Sequence, residues 1–237
     1  RRAVALGYDR AADISQLRSG QALPAGQLAP PGFAGHDSTL PAAQGNDPTA
    51  ARALLDKFGY KDRDGDGMRE APDGKPLTIV MASTPVAQDR QGDELWQRGM
   101  NAIGVRVEFL KQKWPDLLKM ARLAQLQAWR LGNINTTPEG FGFYGLLYSK
   151  NSGFSNLARF SLPEYDRVYE KARSLPDSPA RTRELRRMSE LVSAYAPWVL
   201  MAFRIENVIV QPWLRGYKYN PTYQYPFPYL DIDATRR

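Results

Sequence analysis

The stretch PLTIVMASTPVAQDRQGDELWQRGMNAIGVRVEFLKQKWPDLLKMARLAQLQAWRL, residues 76–131, decides the fold. It begins with an apolar run over Pro76–Ser83 that predicts a buried strand, and the alternation of Val105–Leu110 predicts a second strand. Apolar residues recur at helical spacing over Asp93–Ile103 and Pro115–Leu126, which predicts a helix after each strand.

A third short strand over Gln127–Leu131 completes a strand–helix–strand–helix–strand order. This order predicts an α/β fold, because parallel strands joined by right-handed crossovers are its usual outcome. Sheets of this kind carry ligand contacts at the carboxyl ends of their strands. We therefore expect the binding residues in the segment that follows Leu131.

The flanking sequence predicts further elements on both sides of this unit. Asp47 and Pro48 are typical of a helix start, and Gly59 is typical of a helix end. The other predicted helices are residues 1–9 and 11–19, Glu164–Leu175 and Arg181–Ala196, and the predicted strands are residues 197–203 and 207–212. Residues 20–47, rich in Pro, Gly and Ala, are predicted to be a surface loop.

Composition excludes several classes of function. The 237 residues include no cysteine and one histidine, His36, which removes most zinc sites, thiol nucleophiles and serine–histidine–aspartate triads. The net charge is +7, but the basic residues are scattered along predicted helix faces, so a nucleic-acid partner is not expected. No apolar run is long enough to span a membrane, and we expect no signal peptide within this sequence, because RRAVALGYDR at its start carries charge without an apolar region. The chain starts as if within a helix, so we expect a fragment of a longer protein.

The acidic segment DRDGDGMREAPD, Asp62–Asp73, has two interpretations. Its spacing matches a calcium loop, in which oxygen ligands alternate around a glycine turn. The ligands would be Asp62, Asp64, Asp66, Glu70 and Asp73. Against this, a strand is predicted after the loop where a calcium-binding hand requires a helix, and Asp-Gly pairs also form ordinary turns. We favour a hairpin or loop and keep a secreted calcium-binding module as the alternative.

Aromatic and amide side chains are concentrated just after the third predicted strand. Flat apolar faces with adaptable amide hydrogen bonds suit a cleft that binds a small molecule. The candidate ligand-binding residues are Trp129, Asn133, Asn135, Phe141, Tyr144 and Asn156. The alternative for each is core packing by the aromatic rings and turn formation by the asparagines. GFGFYG, residues 140–145, is not interpreted as a nucleotide loop, because it does not follow the first strand directly.

Four segments together resemble a known family. They are RRAVALGYDRAADI (residues 1–14), ALLDKFGYKDRDGDGMREAPDGKPLTIVM (53–81), NLARFSLPEYDRVYEKAR (156–173) and PWVLMAFRIENVIVQPWLRGY (197–217). They resemble the family 5 extracellular solute-binding proteins, the dipeptide- and oligopeptide-binding components of ABC importers. The resemblance covers nearly the whole chain.

The resemblance implies a lobe of the periplasmic-binding-protein type II fold, with β-α-β units. Residues 1–203 would form the C-terminal ligand-binding lobe, and residues 204–237 would return to an N-terminal lobe that is missing from this sequence. It also implies a periplasmic or extracytoplasmic location and delivery of a peptide-like solute to a membrane permease. Catalysis and a cofactor are not expected.

One departure from the family's pattern bears on the ligand. The resemblance implies an aspartate just after the strand tryptophan in those members that hold the free α-amino group of a peptide, whereas Trp129 is followed by no acidic residue before Glu139. An ammonium group would therefore lack its strongest anchor. Arg130, Asn133 and Asn135 instead suggest a ligand rich in hydrogen-bond acceptors, such as a blocked, modified or anionic solute.

Overall fold

The computed structural model describes residues 1–40, 45–135, 139–220 and 227–236. The helices are α1 (Arg2–Gly7), α2 (Arg10–Ala12, continued by a π-helical turn over Asp13–Leu17), α3 (Pro48–Lys57), α4 (Ala87–Asn101), α5 (Trp114–Arg122), α6 (Phe141–Gly145), α7 (Pro163–Ser174) and α8 (Pro179–Tyr195). The strands are β1 (Ala22–Pro24), β2 (Thr78–Ser83), β3 (Arg106–Lys111), β4 (Ala128–Trp129), β5 (Ala202–Arg204), β6 (Leu214–Arg215) and β7 (Asp231–Ile232). Short 3-10 turns cover Ser149–Asn151, Phe227–Tyr229 and Ala234–Arg236.

A three-stranded parallel sheet in the order β3-β2-β4 carries the predicted β-α-β-α-β unit. Helix α4 connects β2 to β3, and α5 connects β3 to β4, so the prediction for residues 76–131 is confirmed. The apolar side of α4 is buried, as its periodicity predicts: Leu95, Trp96 and Met100 are each less than a tenth exposed. All three strands point the same way, which brings Ser83, Lys111 and Trp129 to one edge of the sheet.

Two hydrophobic clusters form the core. The first lies between α1, α3, α4 and the parallel sheet and includes Tyr8, Met100, Ile103 and Val105. The second lies among α6, α7 and α8 and includes Tyr144, Leu147, Tyr165 and Met188. No helix among the described residues combines the length and the apolar character needed to cross a membrane.

Helix α1 packs closely on α4 through two glycines. A Cβ atom added to Gly99 would lie 2.5 Å from the carbonyl oxygen of Gly7, which is too close for the backbones to keep their positions. The next residue, Tyr8, stacks on Trp96 with ring centroids 4.2 Å apart. The absence of side chains at both glycines therefore allows the close contact that buries this aromatic pair.

The prediction of a surface loop over residues 20–47 is wrong for part of that segment. Ala22–Pro24 forms β1, which pairs antiparallel with β5. Leu28 and Ala29 are buried in the second cluster. A three-residue strand has too few positions to show an alternating pattern, and its partner lies far away in the sequence, so local reasoning could not detect it.

Three apolar residues, Phe58, Tyr195 and Ala124, are exposed, and all three lie at the ends of helices. Phe58 follows the last residue of α3 and is 62% exposed, and Tyr195 is the last residue of α8 and is 50% exposed. Ala124 follows α5 and has a left-handed backbone, with φ of 59°. Helical periodicity ceases to place side chains once the helix has ended. The predicted strand over residues 207–212 is also absent, and Ile209 there is 94% exposed.

Candidate functional site

The carboxyl edge of the parallel sheet carries a neutralised polar group formed by Ser83, Asp93 and Lys111. The Ser83 hydroxyl donates to Asp93 Oδ2 at 2.7 Å, and Lys111 Nζ donates to Ser83 Oγ at 3.1 Å and pairs with the same carboxylate. Asp93 is only 6% exposed, and a buried carboxylate needs a nearby opposite charge. Lys111 supplies that charge through the ion pair. This group ties the first half of α4 to the ends of β2 and β3.

A second polar group fixes Arg130, the residue after β4. Arg130 Nη2 donates to Asp89 Oδ1 at 2.6 Å, and the other oxygen of Asp89 accepts from the backbone N–H of Thr84 at 3.3 Å and from its hydroxyl. The guanidinium lies against Gly92, where an added Cβ would be 2.6 Å from Nη2. Arg130 is thus held in position by Asp89, which Thr84 in turn holds in place. The guanidinium occupies space that a side chain at position 92 would fill.

Two tryptophans form an aromatic pair at the end of β4. Trp129, at the end of β4, and Trp114, at the start of α5, have ring centroids 6.2 Å apart and a tilt of 51°. Trp114 is 52% exposed, which is unusual for so large an apolar ring. The pair provides an accessible aromatic surface at the carboxyl end of β4.

The segment after β4 carries the next candidates. Asn133 is exposed, and Asn135 is partly buried, with its amide nitrogen donating to the backbone carbonyl of Glu139. Ile134 between them is 74% exposed. Asn133 and Asn135 follow Trp129 in the chain, and Asn135 lies against Gly142 of α6. Their contact with a ligand stays a prediction.

Tyr144 and Asn156 lie inside the protein. The Tyr144 hydroxyl donates to the Gly35 carbonyl at 3.0 Å and lies 3.2 Å from Ser189 Oγ, and burial raises the pKa of this tyrosine to about 12. Asn156 is fully buried; its amide donates to the carbonyls of Tyr148 and Phe160, and its oxygen accepts from the N–H of Phe160. The structure gives both side chains a packing role, and no described contact brings them to the edge of the sheet.

Phe141 belongs to a different surface from Trp129. Its ring stacks on Tyr169 with centroids 4.8 Å apart, and the Arg181 guanidinium lies 5.0 Å from the ring centroid. Arg181 also pairs with Glu139. A cavity of about 210 Å³ opens beside this group; its lining includes Phe33, His36, Phe141, Asp177, Arg181 and Leu185. A ligand-binding role for Phe141, Tyr144 and Asn156 remains a prediction from the sequence alone.

The acidic loop forms a hairpin-like connection, as favoured above. Isolated antiparallel bridges pair Lys61 with Glu70 and Glu70 with Pro76, and β2 follows directly. Hydrogen bonds within the loop stabilise it, because the Asp62 carboxylate accepts hydrogen bonds from the backbone N–H groups of Gly65 at 2.7 Å and Gly67 at 2.9 Å.

The five proposed calcium ligands do not all come together. Side-chain oxygens of Asp62, Asp64 and Glu70 lie within 4.8 Å of one another. Asp66 instead pairs with Arg106, and Asp73 pairs with Lys75 at 3.0 Å. The loop therefore differs from a calcium-binding hand in both its ligand set and the strand that follows it.

Comparison with known proteins decides the family. Residues 1–155 match the family described as "Bacterial extracellular solute-binding proteins, family 5 Middle". The chain belongs to this family. The family match confirms the resemblance predicted from the sequence. The match gives no support to the alternative of a calcium-binding module.

Known relatives of this family 5 protein extend well beyond it in length. It is 25% identical over 239 residues to di/tripeptide-binding protein 2 of Pseudomonas aeruginosa, covering 98% of this chain and 42% of that protein. It is 28% identical over 177 residues to heme-binding protein A of Haemophilus influenzae, covering 74% of this chain and 31% of that protein. The chain thus spans less than half the length of these curated relatives.

Solved structures confirm the expected fold of the family 5 chain. The oligopeptide-binding protein AppA of Bacillus subtilis, solved with a nonapeptide, superposes with a TM-score of 0.82 at 19% identity, over 98% of this chain and 47% of that one. HbpA2 of Haemophilus parasuis superposes with a TM-score of 0.81 at 20% identity, over 98% of this chain and 44% of that one. At these identities the comparison shows the fold alone.

Sequence reasoning missed part of the polar edge. Thr84, Asp89 and Trp114 were not candidates, because each follows β2 or β3 rather than β4. The expectation that ligand contacts lie at the carboxyl ends of strands applies equally to all three strands, and this signal could have found them.

Proposed function

We propose that this chain is part of the solute-binding component of an ABC importer and that it contributes the carboxyl edge of β3-β2-β4 to the solute site. The observation that carries the proposal is the carboxyl edge itself: an accessible tryptophan pair lies at the end of β4, and the next residue, Arg130, is held in place by Asp89. Membership of a family of extracellular solute-binding proteins supports both the role and an extracytoplasmic location.

The groups at this edge suit reversible binding rather than catalysis. The rings of Trp114 and Trp129 offer an apolar surface, and each ring partly removed from water by a solute would contribute favourable free energy. Arg130 supplies N–H donors in a fixed direction, which reduces the entropy lost on binding. The amides of Asn133 and Asn135 can donate or accept, so they suit a peptide-like solute.

The proposed mechanism is capture by closure of two lobes. Residues 1–203 would form one lobe, and residues 204–237 would reach the other, which lies outside this sequence. A solute that contacts both lobes stabilises the closed form by its differential affinity for that form. The closed receptor would then deliver the solute to a membrane permease.

The experiment uses the full-length protein and a library of di- and tripeptides, free and N-acetylated, in isothermal titration calorimetry. Trp129→Ala is expected to weaken binding of the tightest peptide by about tenfold or more, since it removes one ring of the tryptophan pair and the support that this ring gives to the other. Phe58→Ala is the matched control, because Phe58 is also an exposed aromatic residue but lies at the end of α3. Unchanged affinity of the Trp129 variant, or no binding by any peptide, would contradict the proposal.

A further inference from the structure

The amino edge of the parallel sheet, opposite the proposed solute site, carries two exposed apolar side chains. Helix α5 runs back along the strands and ends at Arg122, so its last turn lies at the edge where β4 begins. Leu123, the residue after α5, is 57% exposed, and Phe154 is 76% exposed. Single exposed apolar residues are common on protein surfaces, so these two have significance only if they lie together.

Contacts between the end of α5 and the loop around Phe154 bring the two residues together. Arg159 Nη2 donates to the backbone carbonyl of Arg122 at 2.6 Å, and a Cβ atom added to Gly153 would lie 3.4 Å from the same oxygen. Leu123 follows Arg122 in the chain, and Phe154 follows Gly153. The backbones that carry both apolar side chains therefore meet at one carbonyl group, so the two residues belong to one surface.

The turn that carries Phe154 is fixed by its own hydrogen bonds. The backbone N–H groups of Phe154, Ser155 and Asn156 all donate to one acceptor, the carbonyl of Asn151, at 3.0, 3.2 and 3.0 Å. Gly153 has φ of 79°, a left-handed conformation that glycine adopts readily. This compact turn keeps the backbone of Phe154 at the surface, where its ring is exposed.

The same surface is basic. Residues 117–138 and 140–163 contain no acidic residue. Lys119, Arg122 and Arg159 are exposed, and none of the three forms an ion pair with any residue that the structure describes. Their charges are therefore available to an anionic partner. We define the amino-edge patch as the three cations and the two apolar residues, Lys119, Arg122, Leu123, Phe154 and Arg159.

We propose that the amino-edge patch adsorbs reversibly on a lipid bilayer that carries anionic headgroups. The cations are attracted to the negative surface, and the leucine and phenylalanine side chains insert at the boundary between the headgroups and the lipid chains. A protein partner fits less well, because a stable protein interface covers about 800 Å² on each side, far more than two apolar side chains provide. A bilayer requires no complementary shape, so protruding apolar side chains with nearby cations suffice for weak binding.

This inference goes beyond the proposed function and is compatible with it. The strands of the parallel sheet run from the amino edge to the carboxyl edge. A molecule adsorbed through the amino-edge patch would therefore turn the carboxyl edge away from the lipid. The proposed solute site would stay open to peptides while the protein remains close to the membrane.

Cosedimentation with lipid vesicles tests the binding, using the full-length protein produced without covalently attached lipid. One set of vesicles contains equal parts of phosphatidylcholine and phosphatidylglycerol, and the other contains phosphatidylcholine alone. Binding to the anionic vesicles is expected to be about tenfold tighter or more, since each cation near such a surface contributes about fivefold. Added salt should weaken this binding, because it screens the charges.

A first pair of variants tests the apolar side chains. The double variant Leu123→Ser/Phe154→Ser is expected to weaken binding to the anionic vesicles by about tenfold or more, because both inserted side chains are lost. The control is Phe58→Ser/Val86→Ser, which removes two apolar residues of similar exposure, 62% and 52%, from the end of α3 and the start of α4. The control should bind the vesicles as the unchanged protein does.

A second pair of variants tests the cations. Lys119→Gln/Arg122→Gln should weaken binding to the anionic vesicles by about tenfold. Arg90→Gln/Lys113→Gln removes the same amount of charge from the starts of α4 and α5, at the carboxyl edge, and should weaken binding by less than about threefold. Thermal melting checks that every variant is folded.

Several outcomes would overturn the proposal. These are equal binding to both kinds of vesicle, no binding to the anionic vesicles, and equal losses in a patch variant and its control. Binding to polyglutamate without binding to anionic vesicles would identify an acidic protein as the partner instead. Peptide affinity should be the same in both patch variants as in the unchanged protein, so the lipid surface and the proposed solute site can fail independently.

Discussion

Two glycines of α4 contact different kinds of neighbour, and alanine at each is expected to have different consequences. At Gly99 the new Cβ would meet the backbone carbonyl oxygen of Gly7 at 2.5 Å, so α1 would have to move. At Gly92 the nearest atoms would be those at the end of the Arg130 side chain, which can change its rotamer. Both substitutions also gain helix propensity, because glycine is the poorer helix former.

The magnitudes follow from these contacts. Forcing an atom into a packed contact costs about 1–3 kcal/mol, and replacing glycine by alanine in a helix returns up to about 1 kcal/mol. We therefore expect Gly99→Ala to lose about 1–2 kcal/mol of stability. In Gly92→Ala the helix gain is offset by loss of the Arg130–Asp89 ion pair, worth about 1 kcal/mol or less, so the net change is close to zero.

Urea unfolding followed by tryptophan fluorescence compares the midpoints of the two variants with that of the unchanged protein. Gly99→Ala should lower the midpoint, whereas Gly92→Ala should leave it nearly unchanged while weakening binding of the preferred N-acetylated peptide. Equal destabilisation by both substitutions, or a Gly92→Ala variant with undiminished affinity, would refute the reasoning about these contacts.

Three further predictions concern side chains away from the carboxyl edge of the sheet. Asn156→Ala should destabilise by about 3 kcal/mol, because two carbonyls and one N–H lose their buried partner, and peptide affinity of the folded variant should not change; a stable variant with lost affinity would restore Asn156 to the ligand site. Tyr144 contributes stability that is complete below pH 10 and is lost as pH rises through its folded pKa of about 12, so Tyr144→Phe should show a shallower decline in urea midpoint between pH 10 and 12; parallel declines would contradict this. Millimolar Ca²⁺ should leave the melting temperature unchanged, because the loop already binds its own N–H groups, and a clear rise would show calcium binding at Asp62–Asp73.

Local patterns predicted the elements whose partners lie nearby in the sequence. Strands β2, β3 and β4 alternate with α4 and α5, so the periodicity of residues 76–131 contains almost all the information needed for the sheet. The direction of the strands then located the segment after Trp129. Strand β1 could not be predicted in this way, because its three residues show no pattern of their own and form a strand only by pairing with β5.

The ion pairs at the carboxyl edge of the sheet were harder to predict from the sequence than the sheet itself. Arg130 and Asp89 are 41 positions apart in the chain, and nothing in either local sequence indicates that they meet over Gly92. For the aromatic and amide cluster, composition could not separate Trp129 at the edge from Tyr144 in the core, because both roles favour the same residue types.

The pairing of β1 with β5 has a consequence for how the chain acquires its structure during synthesis. Arg10, in the helix before β1, donates to the carbonyl of Leu200, 190 positions later, at 2.7 Å. Contacts so remote form slowly and last, since the ends of a long loop must meet first. The parallel sheet can thus assemble on the ribosome while β1 still lacks its neighbour. Until β5 has been synthesised, the unpaired backbone of β1 can pair with strands of other chains. A chaperone would therefore have its greatest effect at this stage of synthesis.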